Sequence, residues 1–178
     1  MLNQAHEILE FFQKNIEYGI LDVNGKVHRI TDENFWTDFS KYFILKSPEE
    51  LLKSKIGVCF DQVELSRNLF AEKGILTKSY FICYYENLYS HSILVFEYDS
   101  KFYWLETSHR AFIGIHEYDS EEQLLRDFKH KFVHNEISKV PENHDESKLK
   151  IFEYDKPKYR INCQQYFDHM KNTKEVKL

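Results

Sequence analysis

The chain has 178 residues, 30% of them charged and 16% aromatic, with only 5 glycines and 3 prolines. That is the composition of a folded domain long enough to bury a core without cross-links, and it excludes a disordered chain. The formal charge of −5, with Lys and Arg scattered rather than clustered, argues against a nucleic-acid partner, and no apolar stretch approaches the length of a membrane span.

Three cysteines, Cys59, Cys83 and Cys163, are an odd number at wide spacings. They form neither a disulfide framework nor a CxxC zinc or redox pattern. The start, Met1-Leu2-Asn3-Gln4-Ala5-His6-Glu7, lacks the basic and apolar run of a signal peptide. A reducing compartment, most simply the cytoplasm, is the expectation, with residues 1–178 as one domain.

Leu2, Ala5, Ile8, Leu9, Phe12 and Ile16 recur at helical spacing, so 2–16 reads as an amphipathic helix. Asn24-Gly25 between Ile20-Leu21-Asp22-Val23 and Lys26-Val27-His28-Arg29-Ile30 signals a hairpin, both turn positions taking φ > 0. Residues 33–45 are aromatic-rich and read as helical. Ser47-Pro48-Glu49-Glu50 is a helix start with a capping box, and that helix should stop near Lys55, ahead of Gly57. The next helix begins at or just before Cys59 and ends with Gly74 as its C′ residue.

Strands are expected over 75–86, 91–98, 101–108 and 112–118, the second and third joined by Asp99-Ser100. A helix then starts at Asp119-Ser120-Glu121-Glu122 and runs to about 133. Residues 141–148 read as a polar loop, 149–155 as a last strand, and the charged tail after Met170 as frayed.

Chemistry concentrates on Gly57-Val58-Cys59-Phe60-Asp61-Gln62, followed by His91 and Glu106. A cysteine in the first turn of a helix meets unpaired N–H groups and the positive end of the helix dipole, which lower a thiol's pKa. The Cys59 N–H is also placed to donate to an oxyanion. A histidine to take the proton and a carboxylate to hold the imidazole complete a nucleophile–base–orienter set. If the hairpin turn is the two-residue Asp99-Ser100, Ile93 lies opposite Glu106, and His91 and Glu106 become diagonal neighbours on one face. An odd-length turn would separate them. The residue-level alternatives are a surface histidine, a Glu106–Arg110 ion pair and three buried, inert cysteines. Gly57 frees the backbone ahead of the thiol, and Asp61 reads as a cap or brace.

Gly57-x-Cys59-x-Asp61, a helix with Leu65 and Leu69, His91 opening a strand and Trp104-x-Glu106-x-Ser108 resemble the transglutaminase-like superfamily over about 47–118. It includes transglutaminases, bacterial cysteine proteases and amidases, and peptide N-glycanases. The resemblance implies an α+β, papain-like fold, with the cysteine at a helix N-terminus packed on an antiparallel sheet. It matches Cys59 to the nucleophile, His91 to the base and Glu106 to the acid, where the family usually has Asp. A side-chain donor to the oxyanion would fall on Trp36, with Gln62 and Tyr85 as further oxyanion or cleft residues.

His130 and His134 lie one helical turn apart, but Lys131 stands where a zinc helix carries Glu, so they read as exposed helix histidines. No phosphate loop, dinucleotide glycine pattern or Gly-x-Ser-x-Gly elbow occurs, and no cofactor or metal is expected. Two readings follow. One is cysteine-dependent acyl transfer, most simply hydrolysis of a peptide or isopeptide-like amide in a protein substrate. The other is an inactive binding module on the same scaffold, its surface built from Phe35, Trp36, Tyr84, Tyr85 and Tyr89.

Overall fold

The computed structural model describes residues 1–84, 89–134 and 144–178. The chain opens with α1 (Leu2–Asn15), whose Ala5, Ile8 and Phe12 are buried at helical spacing. Then come β1 (Glu17–Leu21), β2 (Val27–Arg29), α2 (Phe35–Tyr42), α3 (Pro48–Ser54) and the two-residue β3 (Ile56–Gly57). The central helix α4 (Cys59–Glu72) leads into β4 (Thr77–Tyr84), β5 (Ser90–Tyr98), β6 (Lys101–Glu106) and β7 (Gly114–Tyr118). Helix α5 (Glu121–His134), β8 (Leu149–Tyr154), α6 (Cys163–Lys171) and β9 (Lys174–Val176) complete the described elements.

The fold is α+β. A six-stranded antiparallel sheet runs β7-β6-β5-β4-β8-β9, and a small sheet runs β2-β1-β3. Alternation along the strands divides the core in two. Phe81, Leu94, Phe96 and Leu105 join α1, α2, α4 and α6 on one side, while Ile82, Ile93, Val95 and Trp104 pack on Leu124, Leu125 and Phe128 of α5 on the other. No described helix is long and apolar enough to cross a membrane.

Local signals explain most boundaries. Ser47 caps α3, its hydroxyl accepting from the Glu50 N–H while Glu50 accepts from the Ser47 N–H, and Lys55 ends the helix in the left-handed region. Gly74, at φ +70°, is the C′ residue of α4.

Two expectations need correction. The first hairpin does not turn on Asn24-Gly25 alone. Leu21 pairs with Val27, leaving a five-residue connection in which Asp22 Oδ1 accepts from the Asn24 and Lys26 N–H groups, and only Gly25 has positive φ. The Asp22 carboxylate satisfies the backbone that a tighter turn would have paired. The tail after Met170 is also not simply frayed. Its Lys174–Val176 forms β9 on the edge of β8, with ion pairs from Lys174 to Glu153 and from Lys150 to Glu175. Helix α6 precedes it, capped by Asn162 and Gln165 in a reciprocal box, with Cys163, Tyr166, Phe167 and Met170 inward. The pattern Asn-x-x-Gln ahead of those four apolar positions was the available signal.

Candidate active site

Helix α4 begins at Cys59, and its start is held by three side chains. Asp61, at the third position of the helix, accepts from the Val58 N–H at 3.0 Å and from the Lys46 N–H at 2.8 Å. The Lys46 ammonium lies 3.7 Å from the same carboxylate. Burial raises the Asp61 pKa, and Lys46 and the two N–H donors oppose that shift. Gln62 donates through Nε2 to the Gly57 carbonyl at 3.3 Å. Gly57 has no room for a side chain: a Cβ would come within 2.5 Å of Leu51 Cδ1 and 3.0 Å of Asp61 Cβ. Gly57, Asp61 and Gln62 thus form the turn that delivers Cys59. Gln62 is engaged with that turn through its Nε2.

The β5–β6 turn contains two residues, Asp99 and Ser100, both at positive φ, as a primed turn requires. Leu94 pairs with Leu105, which carries Ile93 opposite Glu106 and puts His91 on the diagonal. His91 Nε2 lies 2.7 Å from Glu106 Oε2, so Nε2–H donates to the carboxylate. The other oxygen, Oε1, accepts from the Ser108 N–H (2.8 Å), the Ser108 hydroxyl (3.0 Å) and the His109 N–H (2.8 Å). Glu106 is therefore saturated, which is what a 2% exposed carboxylate requires. Its described partners do not include Arg110.

With Nε2 committed to Glu106, Nδ1 is the ring nitrogen left for Cys59, with which His91 shares a side-chain hydrogen bond. Burial favours the neutral imidazole. The Glu106 charge, and the hydrogen bonds to Cys59 and Glu106, more than offset it and hold His91 well above the ordinary histidine value. Glu106 shifts the opposite way: burial raises it, but His91 and the Ser108 and His109 N–H groups bring it well below the carboxylate range. The pair therefore stands as imidazolium and carboxylate. Phe128 and His109 flank the imidazole, their ring centroids 6.1 and 5.7 Å away.

Tyr18 is the site residue that sequence reasoning missed. It stands across from Gly57 in the parallel β1–β3 pairing, and its hydroxyl hydrogen-bonds to Cys59. Burial, then the neighbouring thiol, keep the phenol far above its usual pKa, so it remains a protonated donor. Nothing local marks Tyr18, because its position depends on a two-residue strand thirty-odd positions along the chain.

Trp36 packs by its edge on Phe35, Phe39 and Tyr89, the last at 5.8 Å. Tyr85 lies outside the described residues, while Phe35 and Tyr84 are buried in the two cores. Cys59 itself is 3% exposed. Cys83 and Cys163 are buried away from the pair, and burial pushes both thiols up to about 11.

Cys59 at a helix start is thus joined through His91 to Glu106, the last two on neighbouring strands of an antiparallel sheet. The chain belongs to the transglutaminase-like domain family, whose family model matches residues 1–137. No curated protein matches it. The matched span contains Tyr18, Cys59, His91 and Glu106, while β8, α6 and β9 lie beyond it.

Proposed function

We propose that the protein is a cysteine-dependent acyl-transfer enzyme acting on a peptide or isopeptide amide in a protein substrate, with water as the final acceptor. The observation that carries this reading is the continuous chain from Cys59 through His91 to Glu106, with the acid saturated and the base held charged. The Cys59 thiolate adds to the amide carbonyl, forming a carbon–sulfur bond. The oxygen, now negative, is received by the Cys59 N–H at the helix start and the Tyr18 hydroxyl. As the carbon–nitrogen bond breaks, the proton on His91 passes to the departing amine. His91 then takes a proton from water as it attacks the thioester, and the carbon–sulfur bond breaks to release the carboxylic acid and return the thiolate beside the imidazolium. Glu106 keeps the imidazole oriented throughout and stays ionised.

The burial of Cys59 favours a second reading, a non-catalytic binding module that retains the side chains but not the access. An activated ester separates the two. The enzyme reading expects p-nitrophenyl acetate to give a burst of nitrophenolate and an acetyl adduct on Cys59, both lost in Cys59→Ser and His91→Ala. A folded wild type that gives neither burst nor adduct puts the binding module first.

A further inference from the structure

Cys59 and His91 arrive from a helix and a strand, and the residue after each one leads to the same side chain. Phe60 follows Cys59, and its ring stacks on Tyr166 with centroids 4.3 Å apart and planes 27° from parallel. Ser92 follows His91, and its hydroxyl lies 3.3 Å from the Tyr166 hydroxyl. Tyr166 is fully buried and Ser92 is 2% exposed, so this hydroxyl contact is shielded from competing water. Tyr154 of β8 adds a third hydroxyl, 3.5 Å from that of Tyr166.

We infer that Tyr166 is a positioning residue for the thiol–imidazole pair, a strut from α6 that sets the distance between the helix carrying Cys59 and the strand carrying His91. It rests on the acyl-transfer reading above and assigns a role in it to a segment beyond the span of the family match. The strut has two ends of different character. The ring face holds Phe60 by packing, and the hydroxyl holds Ser92 by a directional bond. Losing the hydroxyl leaves the packed end in place and removes the side-chain tie to Ser92, whose strand is then held by its sheet pairing. An aromatic stack tolerates sliding, whereas a buried hydrogen bond between hydroxyls fixes both distance and angle. The consequence falls on proton sharing between Cys59 and His91, because a hydrogen bond there is steep in distance and angle. Phe43, Phe81 and Phe167 also pack around Phe60. Phe81 is also the cross-strand partner of Ser92, and Tyr166 differs from it in reaching Ser92 through a side-chain hydroxyl.

The test is the pH profile, from pH 5 to 9, of iodoacetamide alkylation at Cys59, read by mass spectrometry with Cys83 and Cys163 as internal references. It is run on wild type, His91→Ala, Tyr166→Phe, Ser92→Ala and the Tyr166→Phe/Ser92→Ala pair, each with a melting curve. The expected result is a fast limb in wild type that extends below the ordinary thiol range and is abolished in His91→Ala. In Tyr166→Phe and in Ser92→Ala that limb should move to higher pH, with rates near neutrality lower by about tenfold. The double variant should fall well short of the product of the two single effects, because each removes the bond between Tyr166 and Ser92. Profiles for Tyr166→Phe and Ser92→Ala that superimpose on wild type would overturn the strut and leave the acyl-transfer reading standing. Lowered melting with an unmoved profile, the mark of a purely structural tyrosine, would overturn the strut in the same way. A wild type without the fast limb, or one indifferent to His91→Ala, would overturn the acyl-transfer reading and the strut with it.

Discussion

Tyr18 stands directly across from Gly57 in the parallel pairing of β1 with β3, and that register brings its hydroxyl to the Cys59 thiol. A carbonyl carbon bonded to the sulfur would place its oxygen between this hydroxyl and the helix N-terminus. Tyr18→Phe is therefore expected to slow acetylation of Cys59 by p-nitrophenyl acetate by about 100-fold, the usual effect of losing one oxyanion donor. Alkylation by iodoacetamide forms no oxyanion and should change by no more than about twofold. An equal loss in both reactions would mean that Tyr18 acts on the thiol and not on the carbonyl oxygen.

Glu106→Gln should lower the His91 pKa toward and below the ordinary histidine value, because burial then acts without the opposing charge. Nitrogen-15 NMR of the imidazole measures this directly. The effect on stability has a defined window. His91, raised in the folded state, contributes fully below its unfolded pKa and loses that contribution as pH rises through the folded value. Glu106, lowered in the folded state, contributes above its unfolded pKa and loses that contribution as pH falls through the folded one. The pair is thus worth most between about pH 4.3 and 6.5. Within that window Glu106→Gln should cost about 3 kcal/mol, read by urea unfolding, with a smaller loss toward pH 9.

Glu64 supplies a pH effect opposite in sign to that of Glu106. Its side chain has no exposure, Oε1 accepts from Arg67 at 3.3 Å, and Oε2 is among the described buried atoms without a hydrogen-bond partner. Burial, opposed by Arg67, raises its pKa to about 7. An acid raised in the folded state stabilises below its unfolded pKa and loses that contribution as pH rises through the folded value. Glu64→Gln should therefore melt higher relative to wild type at pH 8 than at pH 5, by about 5 °C or more. A difference that does not grow with pH would place the charge outside the protein interior.

Gly57→Ala tests the turn ahead of the nucleophile. The added methyl group meets Leu51 Cδ1 at 2.5 Å, closer than carbon atoms approach, and Leu51 is itself fully buried. A destabilisation of about 1–3 kcal/mol is expected from overpacking, with a matching fall in the urea midpoint. Gly57→Ala combined with Leu51→Val should recover part of it, since Val lacks the atom that collides. Without that recovery, the backbone conformation and not the space would explain the glycine.

The elements that were legible in the sequence are those specified within a few residues of themselves. Ser47 and Glu50 announce α3, Gly74 ends α4, and the two-residue Asp99-Ser100 turn fixes which face Glu106 shares with His91. The Cys59, His91 and Glu106 positions were legible for the same reason, each standing at an element boundary or on a strand of clear register. Tyr18 was not, because a parallel bridge between β1 and a two-residue β3 leaves no local trace. Asp22 redirected the first hairpin through side-chain hydrogen bonds that compete with a tighter turn. Helix α6 had a readable cap and apolar spacing, but its importance lies in Phe60 and Ser92, far away along the chain.

The place of β8 in the sheet also bears on how this protein is made. Every residue of the thiol site is present once Glu106 has left the ribosome, yet β4 then has β5 on one side and an unpaired edge on the other, because its second neighbour comes from near the end of the chain. Until β8 arrives, the nascent chain carries an open strand through Tyr80, Phe81 and Ile82, a template for pairing with other chains. Pairing of β8 with β4 ends that exposure, so shortening the chain at the end of the family match would yield an aggregating product and not a minimal domain.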